Sequence, residues 1–399
     1  MIKFSKLKAI DFCDDVRDGT HDSPKHLSSG RMLITSKNIK NNSLDLINVS
    51  YISDDDFKKI NERSLVEKND ILYSMIGTVG LVYRVDSNPD YAIKNMGLFK
   101  ISNELKSKWL YYYLQSSISQ KDIMSKLNGS TQKFISLSNL RNLDILFPES
   151  EEEMQKAVSI LDTIDKKIKI NEKINCVLNK LINSIFLDQF SDSEDMDIKK
   201  AEEIANITIG KTPPRKEQEW FSYNDNDIKW ISIADLGKCG NYIFDSSEKL
   251  VPKAIEKHNI KIVPENTILL SFKLTIGRIA ITTCKMATNE AIAHFNLNDS
   301  EYTYYLYSYL KNFDFSKLGS TSSIATAINS KIVKSMTILY PKLDKVREYN
   351  KIIIPLFNKI KNNESENIIL EQLKKDLVNI IMSGNFDLNK FAISSVGCD

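Results

Sequence analysis

The sequence predicts an α+β protein: two similar α/β domains, each followed by one long helix, with the two helices packed together as an antiparallel coiled coil. Three observations predict it. Short motifs occur twice along the chain at a nearly constant offset, which marks an internal repeat. Two long stretches carry apolar residues at alternating spacings of three and four, the seam of a packed helix. A full domain's length of chain separates those two stretches, enough to return the second helix antiparallel to the first.

The repeat is read directly. Asn69-Asp-Ile-Leu-Tyr-Ser-Met-Ile-Gly-Thr-Val-Gly80 returns as Asn266-Thr-Ile-Leu-Leu-Ser-Phe-Lys-Leu-Thr-Ile-Gly277, 197 residues later. Ile34-Thr-Ser-Lys-Asn-Ile39 faces Ile231-Ser-Ile-Ala-Asp-Leu236 at the same offset. Tyr112-Tyr113-Leu114 returns as Tyr304-Tyr305-Leu306, Ser125 to Thr131 as Ser316 to Thr321, and Leu146-Phe147-Pro148 as Leu339-Tyr340-Pro341. Ile71 to Val85 and Ile268 to Thr283 read as β-rich with internal glycine. Trp109 to Ser117 and Tyr302 to Leu310 read as aromatic-rich helices.

Residues 151–187 contain no Gly or Pro. Their seam is Leu161, Ile164, Ile168, Asn171, Asn175 and Leu178, continuing to Ile182 and Ile185. Residues 346–382 repeat it as Ile353, Leu356, Ile360, Asn363, Asn367 and Leu370, with Leu377 beyond. Pro355 either kinks the second helix or marks its first turn. Asparagines at matching register are expected to fix the alignment, because a buried amide without a partner is costly. The expected organisation is a first domain over 1–148, a helix over 149–190 and an acidic linker over 191–197. A second domain over 198–341, a helix over 342–384 and a loosely held tail over 385–399 follow. Helices of about 36 residues would span roughly 55 Å.

Composition bounds the function. Lys and Arg total 54 against 52 Asp and Glu, a net charge of +2, which permits a basic patch on one face without requiring one. No apolar run reaches the roughly 18 residues of a membrane span, so no membrane partner is expected. The first residues carry Asp11, Asp14 and Asp15 and lack a signal peptide's apolar core. The five cysteines (Cys13, Cys176, Cys239, Cys284 and Cys398) are scattered, odd in number and without CxxC spacing, which fits reduced thiols in a cytoplasm and no metal site. His21, His26, His258 and His294 have no metal-ligand spacing. Asn88-Pro-Asp-Tyr91 lacks the second proline of an adenine-methyltransferase loop and reads as a surface turn. Gly80 and Gly277 read as tight turns, not a phosphate cradle, and the tyrosines of the aromatic helices as core. No catalytic residue is expected.

Two unlike heads on a helical rod suit a target of two separated, unlike segments; one turn of B-DNA is about 34 Å. Candidate DNA-contacting residues are Lys37, Asn38, Lys94 and Asn95 in the first half, with the loop Ser130, Thr131, Gln132 and Lys133. In the second half they are Lys273, Arg278 and Asn289, with Ser320, Thr321 and Ser322. Arg and Lys suit guanine or phosphate, Asn and Gln suit an adenine edge, and hydroxyls suit phosphate oxygens. For any one of them the plainer reading is solvated surface. Lys166, Lys167, Lys169 and Lys173 form a charge run on the first helix, usually a solvated face. Two other function classes compete: a coiled-coil scaffold without DNA readout, and a fused methyltransferase–nuclease. The first leaves two elaborate, divergent heads unexplained. The second needs a cofactor loop and a carboxylate–lysine site that the sequence does not display.

Over nearly all of residues 1–384 the chain resembles the DNA specificity subunit of Type I restriction–modification systems. The matching motifs are Gly210-Lys-Thr-Pro213, Trp230-Ile-Ser-Ile-Ala-Asp-Leu236, Asn266-Thr-Ile-Leu-Leu-Ser271 with Thr275-Ile-Gly277, and Gly319-Ser-Thr321 leading to Ile338-Leu-Tyr-Pro341. The first half departs from the pattern, with Asp18-Gly-Thr-His-Asp-Ser-Pro24 in place of a shorter Gly-x-Thr-Pro. The resemblance implies two target-recognition domains and a non-catalytic role on double-stranded DNA. It implies two modification (methyltransferase) subunits as partners, with restriction subunits joining through them. The cofactors it implies sit on those partners: S-adenosylmethionine for adenine N6 methylation on the modification subunit, ATP and Mg on the restriction subunit.

Overall fold

A computed structural model describes residues 2–40, 43–129, 132–191, 196–318 (Lys317 by its backbone) and 328–388. The chain divides into two compact units, Met1–Ile168 with Leu370–Asp399, and Lys169–Ile369.

In the first unit the opening strand β1 (Phe4–Lys8) pairs antiparallel with the closing strand β8 (Asp144–Pro148). Between them lie β2 (Asp15–Asp18), β3 (Arg31–Ile34), β4 (Ile71–Ser74), β5 (Val82–Arg84), β6 (Tyr91–Ile93) and β7 (Met96–Lys100). Four of these form an antiparallel sheet in the order β2-β7-β4-β5, and β3 pairs in parallel with β6. Helix α1 (Glu104–Gln115) buries Trp109, Leu110, Tyr111, Tyr112, Tyr113 and Leu114. Its aromatic polar tips end on the closing strand: Trp109 Nε1 donates to the Leu146 carbonyl at 2.8 Å and Tyr113 Oη to that of Asp144 at 2.7 Å. A buried tyrosine or tryptophan commonly takes such a partner, and here strand carbonyls supply it. Helix α2 (Glu151–Phe190) follows β8 after a short turn. Ser150, with Glu153 three residues on, caps its start: the Glu153 N–H donates to Ser150 Oγ.

The second unit repeats the plan. Strand β9 (Met196–Lys200) pairs with the closing strand β16 (Thr337–Pro341). Between them lie β10 (Ala205–Ile209), β11 (Ile228–Ile231), β12 (Ile268–Ser271), β13 (Ile279–Thr282), β14 (Ala287–Thr288) and β15 (Ile292–Leu297). The order β10-β15-β12-β13 repeats that of the first sheet, with a further strand, Tyr242–Ile243, added in parallel on β13, and β11 pairs in parallel with β14 as β3 does with β6. Helix α3 (Thr303–Asn312) buries Tyr305 and Tyr307. The Tyr305 hydroxyl donates to the Leu339 carbonyl of β16 at 2.6 Å. The tyrosines are core, as their helical spacing predicts. Helix α4 (Leu343–Met382) closes the unit, with Pro355 inside it, so that proline is not a first-turn residue.

Both long helices run 40 residues. Within the second unit their packing is antiparallel. Asn171 Nδ2 donates to Asn367 Oδ1 and Glu366 Oε2, both at 2.8 Å, and Asn363 Nδ2 donates to Asn175 Oδ1 at 2.7 Å. Farther along, Phe186 and Phe190 meet Tyr349 at centroid distances of 6.3 and 5.2 Å. Ile353 and Ile360 are buried at this seam and Leu178 and Leu356 are half-buried. Within the first unit, Leu161 of α2 and Val378, Ile381 and Met382 of α4 share one core, and Lys374 Nζ pairs with Asp165 Oδ1 at 2.6 Å. Ile164 and Ile168 are buried and Leu370 is half-buried.

Two expectations about the connections are corrected. Met196 and Asp197, read as the end of the linker, open β9 and pair with Pro341 and Tyr340; residues 192–195 lie outside the described residues. The tail is not loose throughout. Gly384, at φ +77°, turns the chain back after α4, so that Phe386 and Leu388 sink into the first unit's core. The Asn175–Asn363 pair carries a stability prediction. Asn363→Ala leaves the Asn175 amide without its seam partner and lowers unfolding free energy by about 1–3 kcal/mol in urea titration. Replacing both asparagines by Leu costs less than that single change, because no polar group is then left unpaired.

Candidate functional site

Each unit presents its candidate residues on two loop clusters held by the same local devices. In the first unit, β3 and β6 run parallel and the Lys94 N–H donates to the Ile34 carbonyl at 2.9 Å. The segments Thr35–Asn38 and Lys94–Asn95 therefore leave the same sheet edge. Lys37 is exposed. Lys94 Nζ donates to Ser23 Oγ at 2.6 Å. Asn95 sits at φ +53°, with Oδ1 2.9 Å from His21 Nδ1, while His21 Nε2 lies 2.9 Å from Asp18 Oδ2. These two contacts, Asn95 more than Asp18, raise the His21 pKa and favour its cation.

The second cluster is the turn after β4. Ser74 Oγ donates to the Thr78 carbonyl at 2.6 Å and accepts from the Leu81 N–H at 2.7 Å. Gly77 and Gly80 take φ +78° and +104°, and the Gly77 N–H reaches the Lys133 carbonyl at 3.4 Å. The turn is thereby set against the loop carrying exposed Gln132 and Lys133. Ser130 and Thr131 lie outside the described residues.

The second unit repeats the Ser-braced turn and the shared sheet edge. The Asn289 N–H donates to the Ile231 carbonyl at 3.0 Å, so Ser232–Asp235 and Asn289 share an edge. Ser271 Oγ donates to the Thr275 carbonyl at 2.6 Å and accepts from the Arg278 N–H at 3.0 Å. Lys273 on this turn is exposed. Ser320, Thr321 and Ser322 lie outside the described residues.

One candidate is corrected, and a second is tied into the frame. Asn38 is buried, and its amide is fully engaged: Oδ1 accepts from the Thr35 N–H and hydroxyl, and Nδ2 donates to the carbonyls of Asp45 and Asn48. It is the far end of a capping box, a turn-former with no edge left for a base. Asp235, at the same place in the repeat, caps Ser232 and also holds Ser247. Arg278 is a brace: its Nη1 donates to the Ile233 carbonyl at 2.6 Å, tying the turn to the capped edge segment. Asn289 is half-buried, and its Oδ1 accepts from the Ala291 N–H. Lys37, Gln132, Lys133 and Lys273 remain as exposed candidates.

Sequence reasoning missed Ser74 and Ser271, both completely buried, although their recurrence at the common offset was the signal. It also missed the function of His294. That ring is completely buried between Thr208 Oγ1 at 2.8 Å and Thr288 Oγ1 at 2.7 Å, joining β10, β14 and β15. Burial pushes its pKa down to about 4. Among the described residues no group of His, Cys, Asp and Glu is arranged to hold a metal ion, and no helix is long and apolar enough to cross a membrane.

Two predictions follow from these contacts. Asn38→Ala lowers the unfolding free energy by about 1–3 kcal/mol, because four bonds to a buried amide vanish, whereas Lys37→Ala leaves the melting temperature unchanged. His294 is neutral in the fold, but an unfolded histidine takes up a proton below about pH 6.5. Its contribution is therefore complete above that pH and declines as pH falls toward 4, by on the order of 3 kcal/mol at the acid limit. His294→Gln should flatten the dependence of the urea midpoint on pH between 7.5 and 4.5; an unchanged slope removes His294 as its source.

Comparison with known proteins matches these features to one family. The family model for the Type I restriction modification DNA specificity domain matches residues 24–180 and again 193–375, once for each half. The putative Type I restriction enzyme MjaX specificity subunit of Methanocaldococcus jannaschii is 24% identical over 405 aligned positions, covering 94% of this chain and 91% of that protein. The MjaIX specificity subunit of the same organism is 28% identical over 188 residues, 46% of this chain and 43% of that protein, so this match spans less than half of it. The crystal structure of a Type I restriction–modification S subunit from M. genitalium superposes with a TM-score of 0.55 at 18% identity, covering 94% of this chain and 95% of that one, and so shares the fold. With both halves matched and the fold shared, the chain belongs to the Type I restriction–modification DNA specificity domain family.

Proposed function

We propose that this chain is a non-catalytic DNA-reading subunit that recognises an asymmetric site of two separated segments and places methyltransferase subunits, with restriction subunits joining through them, on that site. In this reading residues 1–148 and 198–341 each read one segment.

One observation carries it. The two units share a frame down to single hydrogen bonds, yet carry different side chains at the frame's exposed positions. Exposed Lys37 stands where the second unit has exposed Ala234, and exposed Gly77 where it has exposed Leu274; the half-buried Lys94 stands where it has half-buried Asn289. A constant scaffold with unlike tips is what reading two unlike segments requires, since sequence is read by base-edge contacts while phosphate contacts only position.

Helix α2 supports the partner half of the reading. Ile170, Val177 and Leu181 of α2, all in the second unit, are 52%, 64% and 44% exposed. Their spacings of seven and four set them along one side of the helix. Exposed apolar residues aligned in this way mark a protein contact, and the proposed occupant is a modification subunit. S-adenosylmethionine would belong to that subunit, and ATP and Mg to the restriction subunit.

The purified chain alone should transfer no methyl groups to DNA, and adding its modification subunit should yield methylation at a two-part site, read by methylome sequencing of the host with and without this gene. Robust methylation by the lone chain would falsify the reading. Exchanging residues 1–148 for those of a relative should change one segment of the target only. In the assembled complex, Lys133→Ala should weaken binding to all duplexes alike and flatten the slope of log K against log salt by about 1 where the lysine meets a phosphate, whereas Lys37→Ala should weaken binding to the cognate duplex more than to unrelated DNA.

A further inference from the structure

The turn joining β12 to β13 holds a feature that neither packing nor the family match accounts for. Leu274 has φ +60°, in the left-handed region, and its side chain is 95% exposed. Each fact alone is ordinary. A lone exposed leucine is common, and a turn often needs one residue at positive φ. Together they are not, because the usual residues at such a place are Gly, Asn and Asp, and a leucine there strains the backbone without burying anything. The first unit shows the unstrained solution: at the same step of the same Ser-braced turn it has Gly77, at φ +78°.

The strain is imposed from below. Ser271 bonds to the Thr275 carbonyl and the Arg278 N–H, the Gly277 N–H returns to the Ser271 carbonyl at 2.9 Å, and the Arg278 guanidinium holds the Ile233 carbonyl. The leucine therefore stands at the tip of a rigid hairpin, not on a soft loop. Exposed Lys273 precedes it, with Nζ 5.5 Å from the centre of the Phe272 ring. A two-stranded β-ribbon fits the major groove of B-DNA, and the one base-edge group there that favours an aliphatic side chain over water is the 5-methyl of thymine. A cation beside the tip suits the phosphates flanking the groove.

We propose that Leu274 is a specificity-determining residue of the second unit, set at base level in the major groove to read a thymine methyl group. This rests on the DNA-reading function above and deepens it. The backbone strain is then the cost of holding an aliphatic group out in water until a duplex covers it.

The test uses the complex of this chain with its modification subunit and the duplex that methylome sequencing defines. Leu274→Gly and Leu274→Asn both suit positive φ, so the fold survives and the melting temperature holds or rises. Each should weaken binding to the cognate duplex by at least roughly fivefold while leaving binding to unrelated DNA unchanged. Uracil at one thymine of the segment that the second unit reads should weaken the wild-type complex to a similar extent and have no effect on either variant. Cognate affinity unchanged in both variants overturns the proposal. So does a wild-type complex indifferent to uracil at every thymine of that segment, or a loss that tracks failure to assemble with the modification subunit. If the wild-type complex prefers no duplex at all, it is the DNA-reading function that fails, which separates the two ideas.

Discussion

An asparagine in a helix seam has one inexpensive place to be: opposite a partner that satisfies its amide. Asn171 and Asn363 are almost completely buried, and each donates across the α2–α4 seam, to Asn367 and Asn175 respectively. Leucines and isoleucines alone would tolerate sliding by a turn, because apolar contacts are non-directional. Sliding by one turn would strip both amides of their partners in a low-dielectric seam, a penalty of about 1–3 kcal/mol for each orphaned group. The apolar seam thus supplies adhesion, and the asparagines supply register. Once register is fixed, so is the point on α4 to which the second unit's loops attach. Glu364, one residue past Asn363, accepts from the backbone N–H groups of Asn241 and Tyr242 at 2.8 and 3.0 Å.

The same division between adhesion and alignment recurs inside each unit. The sheets are held by β4, β7, β12 and β15, whose residues are nearly all buried and aliphatic or aromatic. Their turns are aligned by single polar side chains: Ser74 and Ser271 within the turns, Asn38 and Asp235 within the caps. These residues recur between the halves because each performs a backbone task that permits few substitutes. Between them lie positions with no such task, and there the halves differ.

That division explains what could be read from sequence. The duplication, both long helices and the tyrosine-rich core were legible because they rest on periodicity and repetition, which survive without coordinates. The individual site residues were not, because side-chain chemistry does not say which way an amide faces. Asn38 has the right chemistry for an adenine edge, but Thr35, three residues earlier, turns it into a cap; the Thr-x-x-Asn pattern and its Ser-x-x-Asp counterpart were the available signal. The brace that Arg278 makes was hidden for the same reason, since its acceptor, the Ile233 carbonyl, is distant in sequence. The burial of Phe386 and Leu388 was hidden because two apolar residues after a helix have no period to betray them.

Each unit's head is fastened to a long helix by a different polar arrangement. In the first unit the Tyr112 hydroxyl lies 2.8 and 2.9 Å from carboxylate oxygens of Asp162 and Asp165 on α2. Lys108 from α1 and Lys374 from α4 neutralise those two acids at 2.8 and 2.6 Å. In the second unit Glu364 holds two backbone amides, with burial raising its carboxyl pKa to about 7, and the buried Tyr349 hydroxyl of α4 lies 2.9 Å from Ser308 Oγ of α3. These groups are largely withdrawn from solvent, so salt screens them far less than it screens an exposed lysine on a loop tip. Rising ionic strength therefore acts on the two parts of the molecule unequally: it weakens whatever the exposed lysines hold long before it loosens the frame that aims them. Each join is made by residues of its own unit, so one half can change its surface without disturbing how the other is held. Divergence between the heads costs the frame nothing, and a duplicated chain can come to present two unlike faces.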